Sequence, residues 1–230
     1  MSDPWVMYFV VRKDHPLGLA QAMVFAGAGA VRCVERFAAT ARWRSAFGAW
    51  RERPRKVALR ADAAQMAQLA RELDAITVET PLGTTLLCLP PRRRSESEPL
   101  LAALRPYTDG PRPTAAAAPP DGPALVYVVR PGVLKTAGKA MAQAGHAALM
   151  CVEQLGERHP TAFAAWHAAG EPGDVREADD MAWERLRAFP DAVVVRDAGL
   201  TQVEPGTETV LALAPLERAR EAVAGLALVH

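Results

Sequence analysis

Apolar runs followed by small-residue stretches divide the chain into two similar units. In the second unit, Leu125–Glu153, five apolar residues end at Arg130, a loop with two glycines follows, and a long alanine-rich stretch begins at Lys139. This order predicts a buried strand, a turn and a helix. The first unit repeats the pattern, with a strand predicted over residues 5–12 and a helix over residues 19–40.

The two units are related by an internal repeat. When Arg12 is aligned with Arg130, residues 10–35 match residues 128–153 without a gap, and 11 of these 26 positions are identical. A Phe-x-x-Trp motif and a later Gly-Thr pair also recur in both units. Self-similarity over this length indicates a duplication. Each copy is predicted to fold in the order β–α–(β)–α–β–β–α.

The repeat predicts an α/β fold class: two homologous three-layer α/β/α domains, each a small mixed sheet of about four strands flanked by helices. The predicted boundaries are 1–107 for the first domain, 108–123 for a Pro- and Ala-rich linker, and 124–230 for the second domain. The copies differ at the second strand. Residues 56–61 (KVALRA) predict it clearly, whereas the matching GDVREADD at residues 173–180 is charged and a poor strand sequence.

Composition is that of a globular protein, since half of the residues are hydrophobic and the formal charge is only +1. The charge is divided unevenly. Residues 1–110 contain 16 Lys and Arg against 11 Asp and Glu, and residues 111–230 contain 11 against 15. Such an asymmetry is expected either for a half that faces nucleic acid or for two halves that attract each other.

Cysteine usage and the first apolar run predict a cytoplasmic protein. Cys33, Cys88 and Cys151 lack CxxC spacing, which is typical of a reduced compartment. The first apolar run, Trp5–Val11, is too short for a signal sequence or a membrane span, so no membrane partner is expected. No spacing of His, Cys and Asp indicates a metal site, and no cofactor is predicted.

Residues that could carry chemistry follow two predicted strand ends in the second unit. Lys139 follows the first strand, and the loop Asp197–Gln202 follows a strand predicted over residues 192–195. Residues just past the carboxyl ends of strands meet in one crevice of an open α/β sheet, and N–H groups at a helix start favour an anion. Ester hydrolysis needs one group to stabilise the oxyanion and another to orient or deprotonate water. Lys139 suits the first role and Asp197 the second, with Thr201 as a hydrogen-bonding positioner.

Gln143 and His146 lie on the same predicted helical face as Lys139. Taken singly, each feature has a more common structural explanation. A lysine at a helix start is usually solvated, Asp-Ala-Gly is a common turn, and a histidine on an alanine-rich face is usually packed. The specificity comes from their combination and from its loss in the first copy, where Gln21 stands in place of Lys139.

Three ordered motifs resemble the archaeal/eukaryotic-type (type 2) peptidyl-tRNA hydrolase family. They are VVR at Val128–Arg130, GKAMAQAGHA at Gly138–Ala147 and DAGLTQVEPGT at Asp197–Thr207. The resemblance covers residues 124–215 and, in degenerate form, residues 5–91. It implies a carboxylic ester hydrolase that cleaves peptide from the 3′ end of tRNA without a metal or organic cofactor. It also implies a mixed four-stranded sheet between helices and a dimeric assembly.

The resemblance also assigns roles to individual residues. It places Lys139, Asp197 and Thr201 in the active site, with four supporting residues: Gln143, His146, Gln202 and Arg130. The sequence departs from the family at Gly132, Ala137 and Leu200, where an acidic residue, a lysine and a basic residue are usual. Losing the two basic residues reduces the positive surface that tRNA phosphates would engage.

The first copy lacks the Asp197 loop as well as the lysine, so it is not expected to catalyse the same reaction. Five of its basic residues are candidates for RNA contacts: Arg92, Arg93, Arg94, Arg55 and Lys56. The alternative is a structural role, in which the first half packs on the second as the partner subunit of a homodimer would. Opposite net charges of the halves fit this intramolecular pseudo-dimer.

Two other functions stay open at this point. One is a non-catalytic RNA- or protein-binding pseudoenzyme of the same fold, and the other is a hydrolase of another acyl ester or amide. Retention of Lys139, Asp197, Thr201 and Gln202 together favours an enzyme over a pseudoenzyme. Loss of the basic loop residues favours the alternatives.

Overall fold

A computed structural model describes residues 3–14, 17–95, 99–109, 118–199 and 203–229. The first half contains, in chain order, β1 (Trp5–Arg12), α1 (Leu19–Phe37), α2 (Arg44–Glu52), β2 (Lys56–Ala61), α3 (Ala63–Glu72), β3 (Ile76–Thr80), β4 (Gly83–Arg93), α4 (Pro99–Ala102) and β5 (Arg105–Pro106). The second half contains β6 (Leu125–Val129), α5 (Ala137–Leu155), α6 (Pro160–Ala168), β7 (Gly173–Glu177), α7 (Asp180–Arg187), β8 (Ala192–Arg196), β9 (Glu208–Leu213), α8 (Glu217–Val223) and β10 (Ala227–Leu228). Within the described ranges, no helix combines the length and apolar character that crossing a membrane requires.

The two halves have the same sheet topology. The first sheet has the strand order β3-β4-β1-β2-β5, and the second has β8-β9-β6-β7-β10. In each sheet the first two strands pair in parallel and the first and fourth pair antiparallel. The predicted α/β class with mixed sheets is confirmed. Each sheet has five strands rather than four because a two-residue strand is added at one edge.

Both sheets are covered by helices on both faces, as the three-layer prediction requires. Along β1 the side chains alternate, so that Met7, Phe9 and Val11 enter one apolar cluster and Val6, Tyr8 and Val10 enter another. The strand β6 alternates in the same way between two clusters. This two-sided burial explains why the central strands read as continuous apolar runs in the sequence.

The strand β7 forms although its sequence is charged, so the expectation of a poor strand here is wrong. It pairs in parallel with β6 along its whole length. Asp174 and Arg176 project to one face, where Arg176 Nε donates to Asp174 Oδ1 at 2.8 Å and Nη1 donates to the Leu226 carbonyl at 3.0 Å. Val175 projects to the other face and enters the core. The two opposite charges are buried together, which removes most of the cost that isolated charges would carry.

The halves share one hydrophobic core, formed where α1 packs along α5. Two glycines allow the close approach. A Cβ at Gly27 would lie 3.0 Å from Tyr127 Cζ, and a Cβ at Gly145 would lie 2.9 Å from Phe9 Cζ. Gly27 aligns with Gly145 and Phe9 with Tyr127 in the internal repeat, so the two contacts are reciprocal.

Other contacts between the halves follow the same reciprocal pattern. Arg51 pairs with Glu153 at 3.6 Å, and His167 pairs with Glu35 at 3.2 Å. In the repeat Glu35 aligns with Glu153, and Arg51 follows its Trp as His167 does. Each half also contains the same edge-to-face Phe–Trp pair, with ring centres 6.2 and 6.0 Å apart. Each of these contacts between the halves is therefore repeated by the equivalent residues with the halves exchanged, as in a twofold-symmetric interface.

The segment around the start of the predicted linker contacts both halves. Tyr107 N–H donates to the Ala58 carbonyl at 2.8 Å, and Ala137 N–H donates to the Asp109 carbonyl at 3.1 Å. Residues 110–117 lie outside the described ranges. The segment that leaves the first sheet thus reaches the start of α5.

Candidate active site

The predicted site residues follow two strands that run in the same direction. Both β6 and β8 pair antiparallel with β9, so they are parallel to each other and their carboxyl ends lie at one edge of the sheet. The helix α5 begins after β6, and Asp197 directly follows β8. The convergence expected from the sequence is therefore present for Lys139 and Asp197.

The helix α5 begins at Ala137, two residues earlier than predicted, because Thr136 caps it. Thr136 Oγ1 accepts the Lys139 N–H at 3.3 Å, and the Thr136 carbonyl accepts the Ala140 N–H at 3.0 Å. The Ala137 N–H is taken by Asp109, as described above. Of the four N–H groups that have no partner within the helix, two, those of Ala137 and Lys139, are thus bonded elsewhere in the chain. The helix start therefore offers fewer N–H groups to an anion than the sequence alone suggests.

Gly138 permits a close approach of the Tyr107 backbone at this helix start. A Cβ at Gly138 would lie 3.2 Å from the Tyr107 carbonyl carbon and closer still to its oxygen. Any larger residue at this position would displace the Tyr107 backbone or the helix. The first half therefore contacts the helix start one residue before Lys139.

Lys139, Gln143 and Asp197 form one hydrogen-bonded group. Lys139 Nζ and Gln143 Nε2 both donate to Asp197 Oδ2. The Gly199 N–H donates to Asp197 Oδ1 at 2.8 Å. Asp197 is only 5% exposed and Gln143 is equally buried, so the carboxylate is held in one orientation by three donors. A buried carboxylate with a cationic partner and two amide donors is satisfied electrostatically.

The backbone of the Asp197 loop is fixed by its own turn. Asp197 N–H donates to the Thr207 carbonyl at 2.8 Å, and the Gly206 N–H donates to the Asp197 carbonyl at 2.7 Å. Gly199 has a φ of 71° and packs against Pro205, since a Cβ there would lie 2.7 Å from Pro205 Cδ. Thr201 and Gln202, predicted as catalytic and supporting residues, lie outside the described residues.

This arrangement suits hydrolysis of an ester. A carboxylate has about four lone-pair positions, and three on Asp197 accept the donors named above, so one position is left to orient a water molecule. An ammonium has three N–H donors, so Lys139 can bond to the carboxylate and to an oxyanion at the same time. In the described part of the chain, no three His, Cys, Asp or Glu side chains are grouped so that they could hold a metal ion.

The second half is similar to proteins of a known family. Residues 124–224 match the family model of peptidyl-tRNA hydrolase PTH2. A peptidyl-tRNA hydrolase of Pyrobaculum aerophilum is 37% identical over 100 residues, which cover 40% of this chain and 82% of that protein. The chain belongs to the peptidyl-tRNA hydrolase PTH2 family.

Two further relatives carry the same enzyme name. The human protein named peptidyl-tRNA hydrolase 2, mitochondrial, is 32% identical over 98 residues, which cover 40% of this chain and 54% of that protein. A Thermoplasma acidophilum peptidyl-tRNA hydrolase is 31% identical over 99 residues, covering 40% of this chain and 85% of that protein. The chain spans about half the length of the mammalian relatives that it matches. Cytoplasmic localisation stays a prediction.

His146, a predicted supporting residue of the PTH2-like half, contacts the other half instead of Asp197. Its Nδ1 lies 2.9 Å from Lys56 Nζ. Burial, followed by the charges of Lys56 and Lys139, holds the pKa of His146 well below its usual range. When Lys56 is protonated, its ammonium donates to Nδ1 of the neutral His146, whose own proton is then on Nε2. Lys56 reaches His146 from 90 residues away in the chain, and no local sequence signal identifies this contact.

Arg130, another predicted supporting residue, is held on the opposite face of the sheet. Its guanidinium lies 4.9 Å from the ring centre of Trp183, and Nη2 donates to the Glu208 carbonyl at 3.3 Å. Trp183 belongs to the outer apolar cluster, whereas α5 packs on the inner one. The described partners of Arg130 thus do not include Lys139 or Asp197.

Two of the residues predicted to contact RNA are buried. Lys56 and Arg92 are each 8% exposed, and Arg92 lies 5.0 Å from the ring centre of Trp43. Such burial leaves little of either side chain open to a phosphate, so it does not support RNA contacts for these two residues, whose RNA binding stays a prediction. A charge run in the sequence does not reveal which side chains turn inward.

The other three predicted RNA contacts are at least partly exposed. Arg93 and Arg94 lie where β4 runs past Trp5, at the amino-terminal edge of β1. That edge is opposite the one that faces the start of α5. A role for Arg55, Arg93 and Arg94 in RNA binding stays a prediction.

Proposed function

We propose that the second half of this chain hydrolyses the ester bond between peptide and tRNA in peptidyl-tRNA. The observation that carries the proposal is the buried group in which Lys139 and Gln143 both donate to the Asp197 carboxylate. It lies in the region that matches the PTH2 family, at the strand edge where an α/β sheet binds its ligands. Relatives named peptidyl-tRNA hydrolase supply the substrate class.

In the proposed reaction Asp197 orients the attacking water through Oδ1, and Lys139 stabilises the oxyanion that forms on the ester carbonyl. Gln143 fixes the carboxylate so that both groups are held before substrate binds. Thr201 is proposed to position the water or the ester by a hydrogen bond. Pre-organised donors of this kind are the largest contribution to many acyl-transfer reactions.

We also propose that residues 1–107 form a degenerate copy of the same domain, joined by the linker 108–123 to the domain 124–230. The identical strand orders support this, and so do the reciprocal pairs of glycine, aromatic and charged residues described above. On this proposal the chain is an intramolecular pseudo-dimer. The first half replaces the partner subunit, supports α5, and keeps no active site of its own.

The proposed function is tested by peptide release from an N-blocked aminoacyl-tRNA. Wild-type protein should release the blocked amino acid, and Lys139→Ala and Asp197→Asn should each lower kcat by about 10²–10³-fold. Gln21→Ala is the matched control, because Gln21 occupies the position of Lys139 in the first copy and is exposed. This variant should retain full activity.

The same assay separates the alternatives. A wild-type rate no higher than that of Asp197→Asn would reject the hydrolase and leave a binding protein of this fold. Release from a non-RNA acyl ester at a rate equal to that from tRNA would instead indicate a hydrolase of another substrate. Equal losses in Gln21→Ala and Lys139→Ala would show that the site is not confined to the second half.

A further inference from the structure

A groove with three basic side chains opens at the carboxyl-terminal edge of the first sheet. Its volume is about 250 Å³, and it is lined by Lys13, Arg60, Gln65, Ala103, Leu104 and Arg105. Lys13 directly follows β1, Arg60 lies near the end of β2, and Arg105 pairs with Arg60 across the edge strand. The three cations, Lys13, Arg60 and Arg105, are called the basic groove below.

The basic groove is adjacent to the start of α5. Arg60 Nη1 donates to Asp109 Oδ1 at 3.1 Å, and the Asp109 carbonyl accepts the Ala137 N–H at 3.1 Å. Asp109 alone therefore separates the Arg60 guanidinium from the first residue of the helix that carries Lys139. A polymer bound at Lys139 could extend along this edge without crossing the body of the protein.

The carboxylates near the basic groove leave its positive charge available to a phosphate. Lys13 pairs with Asp62 at 3.4 Å, and Arg60 pairs with Asp109, but these pairs are partly or largely exposed. Exposed pairs contribute at most about 1 kcal/mol, so a phosphate can replace them. Asp62 is also engaged as the cap of α3, where it accepts the Gln65 N–H. Among the described carboxylates none pairs with Arg105, which is exposed.

The second half has lost all three cations at the matching positions. Pro131 aligns with Lys13 in the repeat, and the parallel registers of the second strands place Glu177 where the first half has Arg60. The edge-strand registers place Ala227 opposite Glu177, where Arg105 lies opposite Arg60. At these three positions the PTH2-like half therefore has one glutamate and no cation, so it lacks an equivalent of the basic groove.

We infer that the basic groove binds phosphate groups of the tRNA strand whose 3′ end is presented to Lys139 and Asp197. The inference rests on the proposed function and assigns the RNA grip to the degenerate half. One half then supplies the chemistry and the other supplies the phosphate contacts. This division accounts for the missing basic residues around the catalytic helix, since phosphate contacts need only a cation at the right place and no catalytic group.

The double variant Lys13→Gln/Arg105→Gln tests the basic groove. Arg60 is left in place because its partner Asp109 also bonds to α5. Affinity for deacylated tRNA is measured between 50 and 200 mM salt, together with kcat and KM on N-blocked aminoacyl-tRNA. We expect the affinity at low salt to fall by roughly tenfold per lost phosphate contact and the slope of log K against log salt to fall by about 2. We expect KM to rise with kcat unchanged.

The matched control is Arg53→Gln/Arg71→Gln, which removes the same charge from exposed sites away from the basic groove. It should change tRNA affinity and salt slope little. Equal effects in the two double variants would overturn the inference, because only net charge would matter. An unchanged salt slope and KM in the groove variant would overturn it as well. If wild type binds tRNA through the basic groove without hydrolysing it, only the proposed function fails.

Discussion

Removing the buried charge of Lys56 should stabilise the protein at acidic and neutral pH. Lys56 Nζ is enclosed between His146, at 2.9 Å, and the Trp50 ring, whose centre is 4.6 Å away. Burial lowers the pKa of Lys56 from 10.5 to about 7, against smaller opposing effects from Cys88, Glu153 and Cys33. Folding therefore favours the uncharged amine of Lys56 more than the unfolded chain does.

The size of the effect follows from the pKa of Lys56. A tenfold change in proton affinity is worth about 1.4 kcal/mol, so a fall from 10.5 to about 7 corresponds to about 5 kcal/mol below pH 7. The pKa is a difference between the charged and the uncharged amine in the folded state, so it already includes the contacts of the ammonium with His146 and Trp50. Lys56→Met also loses the hydrogen bond of the amine to His146, which is worth about 1 kcal/mol, so the variant should be more stable than wild type by a few kcal/mol at pH 6.

The pH dependence gives the sharper test. Between pH 7 and 10.5 the unfolded Lys56 binds more protons than the folded one, so the free energy of unfolding of the wild type rises with pH in this window. Urea unfolding at pH 6 to 9, followed by Trp fluorescence, should show this rise in wild type and in the exposed control Lys135→Met. The rise should be smaller in Lys56→Met, so the stability advantage of this variant over wild type shrinks towards pH 9.

A second measurement distinguishes the loss of the Lys56 charge from a simple packing defect. Because the charge of Lys56 helps to lower the pKa of His146, the imidazole should titrate at a higher pH in Lys56→Met than in wild type, as followed by NMR. Its pKa should still stay below the usual range because burial remains. A variant that loses the same stability at every pH, with an unchanged His146 titration, would refute the reasoning.

Two further changes test the packing around the site. Gly27→Ala should destabilise the protein by about 1–3 kcal/mol in urea unfolding, since a Cβ there overlaps Tyr127. Gly48→Ala meets no atom within 4 Å and should stabilise by about 0.5–1 kcal/mol; equal effects would contradict the close approach of α1 and α5. Thr136→Ala removes the cap of α5 and should lower the free energy of unfolding by about 1 kcal/mol. It should also lower kcat more than Gly27→Ala does when each variant is assayed equally far below its own Tm. Unchanged kcat would show that the cap does not position Lys139.

Periodicity and self-similarity predicted most of the scaffold. The strands β1 and β2 and the helix α1 lie where apolar runs and small-residue stretches placed them, because their buried faces are encoded locally. The strand β7 was underestimated, since its charges are neutralised only when Asp174 and Arg176 meet on one face. The fifth strands were missed because two residues carry too little pattern to be recognised.

Part of the candidate site could also be predicted from the sequence, and part could not. That Lys139 and Asp197 would meet followed from their positions after strand ends, and Gln143 followed from its spacing on the helix. The partner of His146 could not be found, because Lys56 reaches it only after the halves dock. The RNA contacts were assigned to runs of arginine, of which Arg92 proved to be buried.

The sequence by itself determined that residues 10–35 recur as residues 128–153, and it predicted two copies of one α/β unit of which only the second keeps the residues for ester hydrolysis. These properties depend on local periodicity, on strand-end positions and on residue identity within each copy. Only the tertiary structure decided how the copies complement each other. Docking α1 on α5 buries Lys56 against His146 and brings the end of the first sheet, with its basic groove, beside the start of α5. Contacts between residues so far apart in the chain depend on the packing of whole elements, which no local pattern records.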